Sequence, residues 1–156
     1  MLRRLTVVLA TSATALTAVG CGGGDPGAFA DATDATCRDV AAAVTSLRGE
    51  LVGREGSSEQ RAIADAVGAY ANRIDAAATT FSGADPPGSG EEDFRDAAVD
   101  GLREHARRIR AAAESARDGR IGRDLAAQLQ RTGPSAMPDI PGAVLDDAPA
   151  CRAAVR

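Results

Sequence analysis

Apolar residues recur along most of this chain at intervals of three and four, the period of an α-helix with one buried stripe. Ala30, Thr33, Cys37, Val40, Val44, Leu47 and Leu51 keep that spacing and predict a first helix, capped by Asp31 or Thr33 and stopped by Gly53 and Gly56. A second stripe runs through Ile63, Val67, Tyr70, Ile74, Ala77 and Phe81. Ser57 with Gln60 three residues on reads as a capping box at its start, and Ser82-Gly83 ends it. After a Pro- and Gly-rich loop over 84–90, Ser89 with Glu92 opens a third and longest helix, whose stripe is Phe94, Ala98 or Val99, Leu102, Ala106, Ile109, Ala113 and Ala116. Glu91, Glu92, Asp93 and Asp96 crowd its first turns and Arg107, Arg108, Arg110 and Arg117 its second half, the arrangement that the helix dipole favours.

Gly119 ends the third helix, and Ile121, Leu125 and Leu129 predict a shorter fourth, closed by Gly133-Pro134. The tail carries Pro138, Pro141 and Pro149, which predicts an extended strap laying Met137, Ile140, Val144 and Leu145 on the bundle. Asp147 is expected to cap a short last helix with Pro149 in its first turn and Cys151 upon it. Period-two runs are absent. The predicted fold is all-α: a four-helix up-down bundle with a Pro-rich C-terminal strap and a short last helix.

The N-terminus follows a different pattern. Met1-Leu2-Arg3-Arg4 is a basic head, Leu5 to Val19 is uncharged and largely apolar, and small residues precede Cys21. That order is the order of a secretory signal peptide, and fifteen residues are short of the ~20 needed to span a bilayer. The segment Leu16-Thr17-Ala18-Val19-Gly20-Cys21 resembles the lipobox of bacterial lipoproteins, with Ala18 at the place where Leu is commonest. The resemblance covers only the first 21 residues. It implies cleavage after Gly20, a diacylglycerol thioether on Cys21, and a location at the extracytoplasmic face of the cell membrane. Residues 1–20 are then the signal peptide, 21–28 a lipidated cysteine with a flexible Gly-rich tether, and 29–156 the helical domain, with folding expected to begin near Phe29.

With Cys21 so used, Cys37 and Cys151 remain as an even pair in an oxidising compartment, which predicts a disulfide between them. A zinc site would need four ligands, and His105 is the chain's one histidine.

Composition sharpens this picture. Of the 156 residues, 44% are hydrophobic but only 3% aromatic, with no Trp, and alanine alone supplies 35. All 18 basic residues are Arg, a bias typical of GC-rich coding. Loss of residues 1–20 removes Arg3 and Arg4 and no acid, leaving 16 Arg against 22 acids, a net of −6. An acidic domain without a basic block excludes a general nucleic-acid surface. In residues 22–156, Leu, Ile, Val and Phe number 21 of 135, below the ~20% at which a charged chain risks disorder, so the core is expected to be thin and to lean on the disulfide.

Candidate chemistry is sparse. His105 sits at the edge of the third helix's apolar face and reads as a half-buried boundary residue, because a general base needs an oriented partner. Glu92, Asp96 and Asp100 recur every four residues, but they serve the helix N-terminus and surface pairs to Arg better than a cation. No serine stands in a Gly-x-Ser-x-Gly elbow, and the absence of lysine excludes a phosphate-binding loop of the Walker type. Tyr70 and Phe81 read as core. No cofactor, metal site or enzyme signature is expected. The chain has a general likeness to small alanine- and arginine-rich envelope lipoproteins of actinobacterial-type genomes, which carries over no functional residue. The expected function is a membrane-anchored, non-catalytic interaction module that binds another envelope component. The alternative is a carrier of a small apolar or lipid ligand in a cavity lined by Val40, Val44, Val67, Ile74, Leu102 and Ile109.

Overall fold

The computed structural model describes residues 23–52, 60–117 and 137–154, and all its regular elements are helices. These are α1 (Pro26–Leu51), α2 (Gln60–Phe81), α3 (Ser89–Arg117), α4 (Gly142–Asp146) and α5 (Pro149–Ala154). The all-α class is as the periodicity predicts, with three main helices. The predicted fourth helix over Ile121, Leu125 and Leu129 lies outside the described residues, as do Cys21, Gly53, Gly56, Ser57, Gly119 and Gly133-Pro134.

α1 starts earlier than its apolar stripe. The Asp25 side chain accepts a hydrogen bond from Ala28 N–H at 3.0 Å and Pro26 opens the first turn, so the cap is Asp25 and not Asp31 or Thr33. Proline lacks the N–H that a first turn leaves unpaired, and its fixed φ suits the helix start. Thr33 is buried instead, its hydroxyl donating to Phe29 O at 2.9 Å. At the head of α3, Ser89 is already helical and Glu92 N–H bonds Gly88 O at 3.0 Å. The Glu92 carboxylate lies 3.6 Å from Arg95 rather than reaching back to close a capping box.

α2 is the central member, packing most extensively on α3 and also along α1. Alanine makes this possible. Ala64, Ala71 and Ala78 on α2 and Ala98, Ala106 and Ala116 on α3 have no exposed surface, and side chains this short let helix axes approach toward the lower end of the usual ~8–10 Å. Larger groups punctuate the seam: Val67, Leu102 and Ile109 are fully buried, each contributing on the order of 1.5–3 kcal/mol over exposure.

A second cluster closes one end of the bundle. It gathers all three phenylalanines of the chain, Phe29, Phe81 and Phe94, with ring centroids 5.8 to 6.4 Å apart and two of the three pairs edge-on. Edge-to-face contact places the positive ring rim on the negative face and adds ~0.5–1.5 kcal/mol per pair beyond burial. Above this cluster α2 ends at Phe81, where Gly83 N–H bonds Thr80 O and Ala84 N–H bonds Phe81 O, and Pro86-Pro87 prevents any continuation.

The tail is only partly the extended strap that its prolines suggest. Residues 138–141 are irregular, but Gly142–Asp146 forms the short helix α4, with Val144 buried under it. Met137, Ile140 and Leu145 are partly buried against the clusters, as their apolar character predicts. Asp147 follows α4 as its C-terminal cap residue, and the bond expected of it at α5 is made by another acid.

Candidate functional site

Three places in the fold carry features beyond packing: the cysteine pair, the Tyr70–His105 pair, and the end of the bundle where the chain enters.

Cys37 on α1 and Cys151 on α5 have their sulfurs 1.94 Å apart, a disulfide joining positions 114 residues apart with Cα atoms at 5.2 Å. Both are buried, under Ala148, Ile140 and Leu145, and Met137 Sδ lies 3.9 Å from Cys37 Sγ. Beside the bridge, Asp34 is buried on α1 and its carboxylate accepts the Ala150 N–H at 2.6 Å, satisfying a first-turn donor of α5. Its other oxygen meets Arg38 Nε at 3.1 Å. Asp34 thus does what the sequence assigned to Asp147. The periodic reading passed it over because its partner lies 116 residues away; its place three residues before Cys37, on the same helix face, was the available signal.

His105 acquires a partner that is not a carboxylate. Tyr70 Oη on α2 lies 3.2 Å from His105 Nε2 on α3, with the rings edge-on. Burial pushes the phenol up to about 12. Burial, with the nearby Arg108 charge, pulls the imidazole below its ordinary value. Both groups are therefore neutral at physiological pH and share one hydrogen bond between Oη and Nε2. That bond satisfies the buried phenol and the half-buried imidazole. It is a cross-link between helices.

Glu92, Asp96 and Asp100 are all exposed, as expected of carboxylates that serve the surface. Glu104 accepts from Arg107 at 2.6 Å and meets Arg108 at 3.1 Å, and the Arg107 hydrogen bond holds its carboxyl below the usual range. Asp96 pairs with Arg95 at 2.8 Å. Among the described residues no group of three or more His, Cys, Asp or Glu is gathered as for a metal ion.

Two recesses mark the flanks. One, between α2 and α3, holds about 330 Å³ and is lined by Asp65, Gly68, Asn72, Arg110, Glu114 and Arg117 among others. Its arginines are committed, Arg110 to Asp75 at 3.0 Å and Arg117 to Asp65 at 2.7 Å. The other, between α1 and α2, is about 470 Å³ and is walled by Ala42, Ala43, Ala76 and Ala77 with Asp39 and Arg73 at its rim. Both are open-sided, and neither holds an activated nucleophile.

At the entering end, Gly24 N–H donates to Pro86 O at 2.9 Å. A side chain at Gly23 would collide with the Pro87 carbonyl, and one at Gly24 with the Asp85 carbonyl. Two glycines that the sequence assigns to a free tether therefore lie against the loop between α2 and α3, where only glycine allows so close a backbone approach.

No protein-family model, no curated protein and no solved structure matches this chain. Among the described residues no helix is long and apolar enough to cross a membrane.

Proposed function

We propose that the chain is a lipid-anchored protein of the extracytoplasmic face of the cell membrane, whose helical domain is a non-catalytic interaction module. One observation carries this reading: of three cysteines, Cys37 and Cys151 are paired and buried, which leaves Cys21 as the odd thiol at the end of a lipobox-like segment. An exported protein with a persistent disulfide and a single leftover cysteine directly after a signal-type stretch is accounted for by lipidation of that cysteine.

The packing supports interaction over carriage. Of the six residues that would line a carrier's cavity, Val40, Val67, Ile74, Leu102 and Ile109 have at most 2% of their surface accessible and Val44 is half-buried, which speaks against an open cavity among them. The interior is filled by its own alanines. With this apolar core closed and the two recesses open-sided, the outer faces of the helices are the working surface in this reading.

The bundle reading extends to a fourth helix on the sequence pattern of Ile121, Leu125 and Leu129.

Cell fractionation of a Cys21→Ala variant tests the anchor. The parent is expected in the membrane fraction and the variant in the soluble exported fraction or arrested with its signal uncleaved. A mature, cleaved variant that sediments with membranes as the parent does would remove the basis of the reading.

A further inference from the structure

We infer that the end of the bundle built from Gly23, Gly24 and the 83–88 loop faces the lipid headgroups, so that the domain stands on the membrane by that end instead of swinging on a stalk. The inference rests on Cys21 being the lipidated residue, and it adds which surface of the domain meets the bilayer.

Chain length sets the geometry. Only Gly22 stands between Cys21 and Gly23, and an extended chain covers at most ~3.6 Å per residue step, so over two steps the lipid-bearing cysteine lies within ~7 Å of Gly23. The headgroup layer on each side of a bilayer is itself ~5–8 Å thick. A cysteine whose acyl chains occupy the hydrocarbon therefore holds Gly23, and the Pro87 carbonyl packed against it, at the level of the headgroups.

Nothing downstream supplies slack. The Gly24 N–H is bonded to Pro86 O, Asp25 is already the helix cap, and α1 runs on unbroken from Pro26. The loop beneath is stiffened by Pro86-Pro87, by a hydrogen bond from the Arg95 guanidinium to Ala84 O at 3.2 Å, and by the phenylalanine cluster under Phe81. The chain is thus fixed to a rigid platform within two residues of its anchor.

The described sides of the helices offer no apolar patch that would compete. Among the described residues the one large hydrophobic side chain exposed to solvent is Val52, at the far end of α1. The platform itself carries exposed Asp25, Asp85, Glu92 and Asp93, so it is the short tether and not attraction to anionic lipid that brings it to the surface.

The chain has no tryptophan, which makes a clean experiment possible. Gly90 and Gly49 are both exposed helical positions where an added side chain meets open space, Gly90 beside the platform and Gly49 about 35 Å along α1 from Pro26. Full-length Gly90→Trp and Gly49→Trp proteins, lipidated in a bacterial host, are reconstituted into phosphatidylcholine vesicles containing headgroup-nitroxide phosphatidylcholine, and flotation and fluorescence quenching are read together. The expected result is co-flotation of both and several-fold stronger quenching for Gly90→Trp. Inserting ten Gly/Ser residues between Cys21 and Gly22 should keep flotation and collapse that difference, and Gly24→Val, checked for folding by circular dichroism, should reduce it. Equal quenching at the two positions in proteins that float, or a difference that survives the insertion, would overturn the standing geometry alone. Failure to float would overturn the anchoring reading and this inference with it.

Discussion

Removing the Cys37–Cys151 bridge, by reduction or by Cys151→Ala, is expected to cost ~3–5 kcal/mol of folding stability, from the entropy the unfolded chain regains when a loop of this size opens. For a domain of this length that corresponds to a fall of roughly 10–20 °C in Tm. The loss is large relative to what the domain has, since natural domains hold only ~5–15 kcal/mol in total and the bulky aliphatic and Phe content here is low. The mechanism is also local. α5 carries Cys151, packs on α1 beside α4, and is otherwise held by the Asp34 carboxylate at Ala150 and by Arg152 N–H groups donating to the Leu145 and Asp146 carbonyls. Without the bridge those contacts must hold the C-terminus by themselves. Thermal melts with and without reductant, followed by far-ultraviolet circular dichroism, measure the effect; coincident melts would show that α1 to α3 carry the stability unaided.

Phe81→Ala is expected to be comparably costly, ~3–5 kcal/mol, the range for deleting a buried aromatic ring from a core that relaxes only partly. Phe81 is 1% exposed and touches both other phenylalanines, so its loss empties the centre of the one cluster in which aromatic bulk replaces alanine. Neighbouring alanines cannot rearrange to fill the space. The same cluster underlies the loop that receives Gly23 and Gly24, so the variant should also loosen that attachment, visible as faster amide exchange at Gly24, whose N–H is bonded to Pro86 O. Urea unfolding of the variant against the parent gives the magnitude.

The three main helices were legible in the sequence because an amphipathic period records burial, and burial is what the period measures. Leu102 and Ile109 at the centre of α3, or Val67 and Ile74 on α2, could be placed without coordinates. The pairing of Cys37 with Cys151 was legible by counting, since one lipobox-type cysteine leaves two. The start of α1 was missed for a compositional reason. Glycines and Pro26 read as a tether, although Asp25 followed by Pro26 is a helix-start signal in its own right. α4 was missed because five residues are too few to show a period.

The paired features of the site were less legible. The Tyr70–His105 contact spans two helices, and Asp34 to Ala150 spans most of the chain, so neither leaves a local trace. The period of each helix puts Tyr70 in the core and His105 at its boundary, but their meeting depends on the register of α2 against α3. That register is set by the alanine seam, where many small residues fit almost equally well. The docking of Gly23 and Gly24 depends in the same way on a loop 62 residues further along, and sequence reading could name the glycines without knowing what they approach.

The claim on which the functional reading turns is the division of labour among three cysteines. Peptide mapping by mass spectrometry of the non-reduced protein extracted from membranes tests it in one measurement. The expected result is a mature N-terminus at Cys21 bearing a diacylglycerol modification, together with a peptide in which Cys37 is linked to Cys151. An N-terminus elsewhere with Cys21 unmodified, or free thiols at Cys37 and Cys151, would contradict it.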